Sequence, residues 1–555
     1  MQEAIKAELK IIPLGGLGEI GLNMMVLEQG GDMIVVDCGL MFPGDSAPGV
    51  DYIIPDFTYL LERKERVKGL ILTHGHEDHT GALPFLLQQM RVPVFATSLT
   101  LGLVREKLSE YNLNGSTRLE TVSAGQTLSI GPFDVEFIQV AHSIADSVAL
   151  AVKTAVGNII HTGDFKLDPT PIDGKRSDLG ALARYGDEGV VALLSDSTNV
   201  ERGGYTLSER EVGYALNEVM HEAPGRVIVA MFASNIHRVQ QVIDAAARYG
   251  RKVALMGRSM EANSRIATEL GYMQIPRGVM VTPESLKRLA DREVVLLTTG
   301  SQGEPLSGLS RMARREHKQI SIKPGDTVVL SSRFIPGNER AIAWLINEFY
   351  RQGAEVIYEK VSDIHVSGHA SREELKMMIS LTRPQYFIPI HGEYRHLVRH
   401  ARLAREMGVP DERVLVAEDG DIVIFDEIGG ERVGRVESGR QVVDGTCVAD
   451  HEDCVLQERR RLGNDGILIA VARLDPATGR IAGPIHLKSL GLFYEEEATD
   501  ALEAARLYAE AELAQVAPEL AGNKDALAHE MRAALKRYIK KNLFRFPVII
   551  PMVVD

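Results

Sequence analysis

In the stretch THGHEDHTGA, His74, His76, Asp78 and His79 place three imidazoles and a carboxylate within six positions. Ionisable groups this close repel one another or lose hydration unless a cation compensates them. Imidazole and carboxylate together form the donor set of borderline divalent ions, so the spacing points to metal chemistry rather than packing. His142, Asp164 and His391 are weaker candidates alone, because a single His after a strand commonly serves a structural role. They gain weight from position, since each ends an apolar, β-rich run. MIVVD ends at Asp37, VKGLILT runs into His74, FDVEFIQVA into His142, NIIHTG into Asp164, VVALLS into Asp196, and PQYFIPIHG ends at His391.

Strand ends are where α/β sheets hold their sites, because the loops beyond can vary while the sheet keeps them rigid. Residues 1–205 therefore read as a sheet with one functional edge. From about Thr206 the texture changes: GRVIVAMFAS, RKVALMG, EVVLLTTGS and DTVVLSS are apolar throughout and separated by helix-length segments. That pattern predicts a parallel sheet covered on both faces. PQYFIPIHG returns to the first texture, so residues 206–360 read as an inserted α/β domain and 361–425 as the completion of the first. The charged, Gly-rich DEIGGERVGRVESGR lies in a connection, residues 426–460, expected to hold short strands. ILIAVARL, an acidic helix from about Glu495 to Val516, and FPVIIPMVV predict a small α/β domain over residues 461–555. Gly16, Gly18 and Gly21 in GGLGEIG fit a dinucleotide-binding spacing, but strand-like sequence follows where that site needs a helix. A tight turn between strands is expected there.

A chain of 555 residues exceeds what one core usually supports. Its 45% hydrophobic and 25% charged residues are ordinary globular usage. No apolar run is long enough to span a bilayer and the first residues lack a signal-peptide pattern, so a soluble, cytoplasmic protein is expected. Cys38, Cys447 and Cys454 are too few for a disulfide framework or a Cys-based zinc site. The net charge of −14 means that any polyanion must meet a local basic surface. The candidates are Arg311, Arg314, Arg315, Lys318 and Lys323; Arg459, Arg460 and Arg461; and Lys536, Arg537, Lys540, Lys541 and Arg545. Each is also explained as a solvated face.

The H-x-H-x-D-H loop after a strand, with a distant His and a distant Asp, resembles the metallo-β-lactamase superfamily. His74, His76, Asp78, His79, His142 and Asp164 match its positions in order. Asp196 in SDSTN, His369 in HVSGHA and His391 in PIHGE, together with the inserted domain, resemble the three extra motifs of the β-CASP nucleases. FASNIHR, SSRFIPGNE and HVSGHASREEL, with the domain order, are similar to the bacterial ribonuclease J family over nearly the whole length. The resemblance implies an α/β fold: an αββα sandwich with an inserted β-CASP domain and a small C-terminal domain.

It implies further that His74, His76 and His142 hold one divalent ion, that Asp78, His79 and His391 hold another, and that Asp164 bridges them. Asp37 would orient a ligand histidine. Two ions about 4 Å apart, Zn²⁺ or Mn²⁺, would activate a water and clamp the attacked phosphate of RNA. His369, with Asp196, is the candidate to protonate the leaving 3′ oxygen, although phosphate binding would use the same side chain. Ser234 and Asn235, with His365, Val366, Ser367, Gly368 and His369, match the positions that hold a 5′-monophosphate end; HVSGH read alone is also a strand-to-helix turn. Gly49, Asp51 and Asp444 match positions that hold a structural Ca²⁺ in relatives. The family also implies single-stranded RNA as substrate, exonuclease and endonuclease action in mRNA decay and rRNA processing, a homodimer or homotetramer, and other RNA-decay enzymes as partners. A DNA-processing β-CASP nuclease, a hydrolase of small esters or lactams, and a metal-free RNA-binding scaffold are the alternatives. His391, the large insertion and the complete ligand set respectively count against them.

Overall fold

The computed structural model describes residues 8–43, 47–304, 306–332, 338–359, 364–445, 447–450, 454–493, 495–516, 520 and 522–555. Residues 333–337 of the SSRFIPGNE motif lie outside the described residues. The chain divides into two compact units, Met1–Met41 with Ile53–Arg440, and Phe42–Tyr52 with Gln441–Asp555.

The first unit contains a pair of facing sheets. One has eight strands, in the order Gly430–Arg435, Asp421–Phe425, Leu9–Gly15, Met24–Gln29, Asp32–Val36, Val67–Ile71, Val94–Ala96 and Leu119–Thr121. The other has six, in the order Tyr386–Ile390, Val190–Asp196, Gly157–His161, Val148–Thr154, Phe133–Gln139 and Thr127–Ile130. Val148, Leu150 and Val152 face the first sheet's Leu27, Ile34 and Val36 in one buried core. Their neighbours Ala149 and Ala151 point the other way, into a core shared with Leu182, Leu375, Met378 and Ala401 from three covering helices. Alternation between two cores is why this strand is apolar throughout.

The strand Val190–Asp196 pairs in parallel with Tyr386–Ile390, so the chain leaves this sheet and rejoins it one strand over. Between them lies a five-stranded, all-parallel sheet ordered Lys252–Met256, Val294–Thr298, Val227–Ala230, Thr327–Leu330 and Glu355–Ile357. Val227 and Val229 join one core, with the helices Glu209–Glu222, Ile236–Arg248 and Arg258–Glu269. Ile228 and Ala230 join the opposite core, with Glu339–Arg351. The doubly covered parallel sheet and the insertion are both as expected.

The stretch expected as a connection, 426–460, contains an edge strand of the eight-stranded sheet, a hairpin of Arg440–Asp444 with Cys447–Asp450, and the start of the helix Cys454–Asp465. In the second unit, Arg480–Leu490, Ile467–Asp475 and Val548–Val554 form a sheet backed by the helices Glu495–Leu513 and Lys524–Leu543. The acidic helix buries Ala505, Ala509 and Leu513 against that sheet. Among the described residues no helix is long and apolar enough to cross a membrane. GGLGEIG is a turn between strands, with Gly16 at φ 93°, where an added Cβ would sit 2.5 Å from Asn23 Oδ1.

Candidate active site

The strands that end at Gln139, His161, Asp196 and Ile390 all run the same way, since the intervening Val148–Thr154 is antiparallel to both of its neighbours. Their C-terminal ends therefore share one edge, and His142, Asp164, Asp196 and His391 sit there. From the other sheet, the parallel strands Asp32–Val36 and Val67–Ile71 deliver Asp37 and the His74–His79 loop. His76 caps the single helical turn Glu77–Thr80, which carries Asp78 and His79. The same edge thus collects every expected ligand.

Asp164 is at the centre. Its Oδ2 lies 3.7 Å from His74 Nε2, 3.3 Å from His79 Nε2 and 3.7 Å from His142 Nε2, and its Oδ1 lies 3.7 Å from His391 Nε2. Among the described residues three groups could hold an ion, with ligand atoms within 4.8 Å of one another: His74, His76, His142, Asp164; Asp78, His79, Asp164, His391; and Asp164, Asp196, His369, His391. Asp164 belongs to all three.

The donor atoms fit cations. Asp164 Oδ1 is buried and has no hydrogen-bond partner, which is costly for a carboxylate oxygen unless an ion meets it. His142 Nδ1 donates to the Gly368 carbonyl at 2.8 Å, leaving Nε2 as a lone pair aimed inward. An added Cβ on Gly368 would lie 2.7 Å from the His142 ring, so only glycine allows this approach. Burial pushes His74, His76 and His142 down, His76 to about 4, which keeps them in the neutral form that binds metal. Burial opposes charge on His79 and His391 too, but the Asp164 carboxylate and its acidic neighbours outweigh it, raising both, His391 to about 9. That half of the cage attracts positive charge.

Asp37 Oδ2 accepts from His79 Nδ1 at 2.7 Å and also meets the Thr73 hydroxyl, which contacts His74 Nδ1 at 3.0 Å. One carboxylate thereby steadies two histidines. Thr198, 2.7 Å from His391 Nδ1, and Asn23, 3.1 Å from His79 Nε2, complete the surround. Sequence reasoning missed Thr73, Thr198 and Asn23, although Thr73 and Thr198 stand inside the motifs it used. Asp37 and His391 have positive φ, 64° and 52°, a conformation that non-glycine residues adopt at some cost.

His369 Nδ1 lies 2.8 Å from the buried Asp196 carboxylate and 3.8 Å from Asp164 Oδ2. Burial disfavours its charge, yet Asp196 and Asp164 prevail and raise its proton affinity above the usual value for histidine. Asn199 Nδ2 donates to Ser367 Oγ at 2.7 Å and to the His369 carbonyl at 3.0 Å, fixing that turn. Ser371 and Glu374 form the capping box of the helix Arg372–Thr382 that follows. Asn235 caps Ile236–Arg248, and Arg238 in that helix contacts His365 Nδ1 and the Val366 carbonyl, which ties the two candidate phosphate-binding segments together.

Gly49, Asp51 and Asp444 also come together: Gly445 N–H donates to Asp51 at 2.8 Å, while Arg459 meets Asp444 at 2.5 Å and the Gly49 carbonyl at 3.3 Å. The Arg459 guanidinium thus lies against these positions. Of the basic candidates, Lys323 and Arg537 are likewise paired with carboxylates, those of Asp291 and Glu512.

The profile described as the metallo-beta-lactamase superfamily matches residues 17–201, and that of the ribonuclease J beta-CASP domain matches 224–349. The Zn-dependent metallo-hydrolase RNA specificity domain matches 353–416 and the ribonuclease J C-terminal domain 454–555. Ribonuclease J of Thermus thermophilus is 43% identical over 99% of this chain and 95% of its own. Ribonuclease J2 of Bacillus subtilis is 40% identical over 100% of both, and ribonuclease J of Helicobacter pylori 41% over 98% of this chain and 79% of its own. A crystal structure of a protein of unknown function from Enterococcus faecalis V583, 16% identical, superposes with a TM-score of 0.53 over 75% of this chain and 100% of that one, a likeness of fold. With a metal-fitting His/Asp cage, the β-CASP insertion and full-length identity near 40%, this chain belongs to the ribonuclease J family.

Proposed function

We propose that this protein is a metal-dependent ribonuclease that digests single-stranded RNA stepwise from a 5′-monophosphate end and also cuts internally. The carrying observation is Asp164, placed between two His/Asp groups with the His369–Asp196 pair beside it. His74, His76 and His142 would hold one divalent ion, Asp78, His79 and His391 the other, and Asp164 both; Zn²⁺ and Mn²⁺ suit these donors equally. Bound there, the ions would lower the pKa of a water and neutralise the attacked phosphate. Asp37, Thr73 and Thr198 keep the ligand rings oriented. His369, its proton retained by Asp196, donates to the departing 3′ oxygen, so the product carries a 5′ phosphate.

Ser234, Asn235 and the segment His365, Val366, Ser367, Gly368 form the pocket for the terminal phosphate, supported by the contact of Gly368 with His142 and by Arg238 joining the two segments. This reading places the protein in the cytoplasm, in mRNA decay and rRNA processing with other decay enzymes. It also makes the protein a homodimer or homotetramer; Ile550, Met552 and Val554, 41%, 47% and 41% exposed on one strand of the C-terminal sheet, are apolar surface that association would cover. The test is digestion of one RNA, labelled at each end in turn, with added Mn²⁺ or Zn²⁺. Single nucleotides released from the 5′ end support it; release from the 3′ end overturns it.

A further inference from the structure

Arg238 is a large side chain only 1% exposed, and its four terminal N–H groups are all spent on the protein. Nη1 donates to the Ser331 carbonyl at 2.8 Å and faces His365 Nδ1 at 3.1 Å. Nη2 meets both oxygens of the equally buried Glu209, at 2.8 and 3.0 Å, and the Val366 carbonyl at 3.5 Å. Its own backbone N–H is capped by Asn235 Oδ1 at 3.1 Å. Four segments converge on this one group: the starts of Glu209–Glu222 and Ile236–Arg248, the end of Thr327–Leu330, and the run leading into Ser367.

We infer that Arg238 is a positioning residue for 5′-end selection, acting through a charge-neutral buried pair with Glu209 and by fixing the tautomer of His365, rather than by touching phosphate. This rests on the pocket reading given above. A guanidinium carries donors and no acceptor, so a ring nitrogen facing it must be the acceptor. His365 Nδ1 therefore carries no proton, and the ring's proton is on Nε2. Both Glu209 oxygens meet Arg238 Nη2, and the carboxylate offsets the guanidinium charge where solvent cannot. The terminal phosphate then meets neutral donors, Ser367, Asn235 and backbone N–H groups, whose number rather than charge sets the selection. Neutral donors suit a compact dianion and give no advantage to a triphosphate.

Removing one member of a buried pair strands a charge, whereas replacing both is often tolerated. The experiment therefore compares the full-length protein, Glu209→Gln, the double variant Arg238→Met/Glu209→Gln, and Ser367→Ala. Single-turnover rates are read on one RNA with monophosphate, hydroxyl or triphosphate at its 5′ end. The double variant should lose about tenfold in the monophosphate-to-hydroxyl rate ratio, the scale of one lost charge-assisted hydrogen bond. A merely structural role would lower both rates alike and leave the ratio in place, which overturns the inference. Glu209→Gln, which leaves the guanidinium charge uncancelled, should raise the triphosphate-to-monophosphate ratio; an unchanged ratio overturns the neutral-pair argument. If Ser367→Ala abolishes the monophosphate preference while the double variant keeps it, the pocket stands and the inference falls. If Ser367→Ala keeps the preference, the pocket reading fails and the inference with it.

Discussion

Asp37 and His79 lie beyond the ends of adjacent strands of one sheet, and the Asp37 carboxylate accepts the His79 Nδ1 proton at 2.7 Å. The bond decides which nitrogen of His79 points into the cage, and the left-handed backbone at Asp37, φ 64°, aims the carboxylate there. Asp37→Ala should therefore weaken the ion held by Asp78, His79 and His391 about 10- to 100-fold, the usual effect of losing a ligand's orienting partner. Metal titration followed by mass spectrometry measures it. Two ions held with undiminished affinity would show that the bond is structural only.

Asp164 is the shared member of all three groups, and its Oδ1 is buried without a hydrogen-bond partner. Asp164→Ala should lower the content of both ions and abolish RNA cleavage, because each loses the same anionic ligand. Two ions still bound, with near-normal turnover, would remove Asp164 from the site.

His369 and His391 differ in what surrounds them. His369 faces Asp196 at 2.8 Å and is 20% exposed, whereas His391 is 3% exposed and lies between Asp78 and Asp164. His369→Ala should leave metal content intact and slow cleavage by roughly 10²- to 10⁴-fold, the range for lost acid–base help. His391→Ala should deplete one ion selectively. Equal loss of metal in the two variants would erase the distinction between acid and ligand.

The candidate cage was legible because most of its residues follow strand ends, and strand ends can be recognised from where an apolar run stops. His74, His76, Asp78 and His79 declared themselves by density alone. Thr73 and Thr198 did not, because a hydroxyl beside a ligand is chemically ordinary until its 3.0 Å or 2.7 Å contact is seen. Arg238 and Glu209, 29 positions apart, were illegible as a pair for the same reason, since no periodicity brings two helices' charges together.

A second carboxylate pair predicts how stability varies with pH. Asp419 is pushed up to about 7, first by burial and then by the neighbouring Glu19 carboxylate, against the Leu17 N–H bond and Arg440. The folded protein thus keeps a proton that the unfolded chain releases near pH 4. More protons bound when folded means stability falls as pH rises from about 4 to about 7 and is flat above. The shift bounds the effect at about 4 kcal/mol. Asp419→Asn, which still accepts from Leu17, should flatten the Tm profile in that window and raise Tm at pH 8. A profile as steep as that of the unsubstituted protein would assign the pH dependence to other groups.

The last prediction concerns the RNA end. Ser367 Oγ, held by Asn199 at 2.7 Å, lies one residue from Gly368, whose carbonyl orients His142, so the proposed phosphate pocket and the candidate cage share one turn. On the proposed pocket reading the donors there match a monophosphate, and Arg238 is already committed to Glu209. A hydroxyl end leaves those donors unpaired, at about 1–3 kcal/mol or one to two decades in rate. A triphosphate adds bulk and charge that these neutral donors do not offset. Stepwise digestion should therefore be fastest from a monophosphate, slower from a hydroxyl and slowest from a triphosphate, while internal cleavage ignores the end. Single-turnover rates on three otherwise identical single-stranded RNAs measure this. Equal rates on all three would sink the pocket and leave the cage standing, because the ligand geometry depends on Gly368 and not on what Ser367 holds.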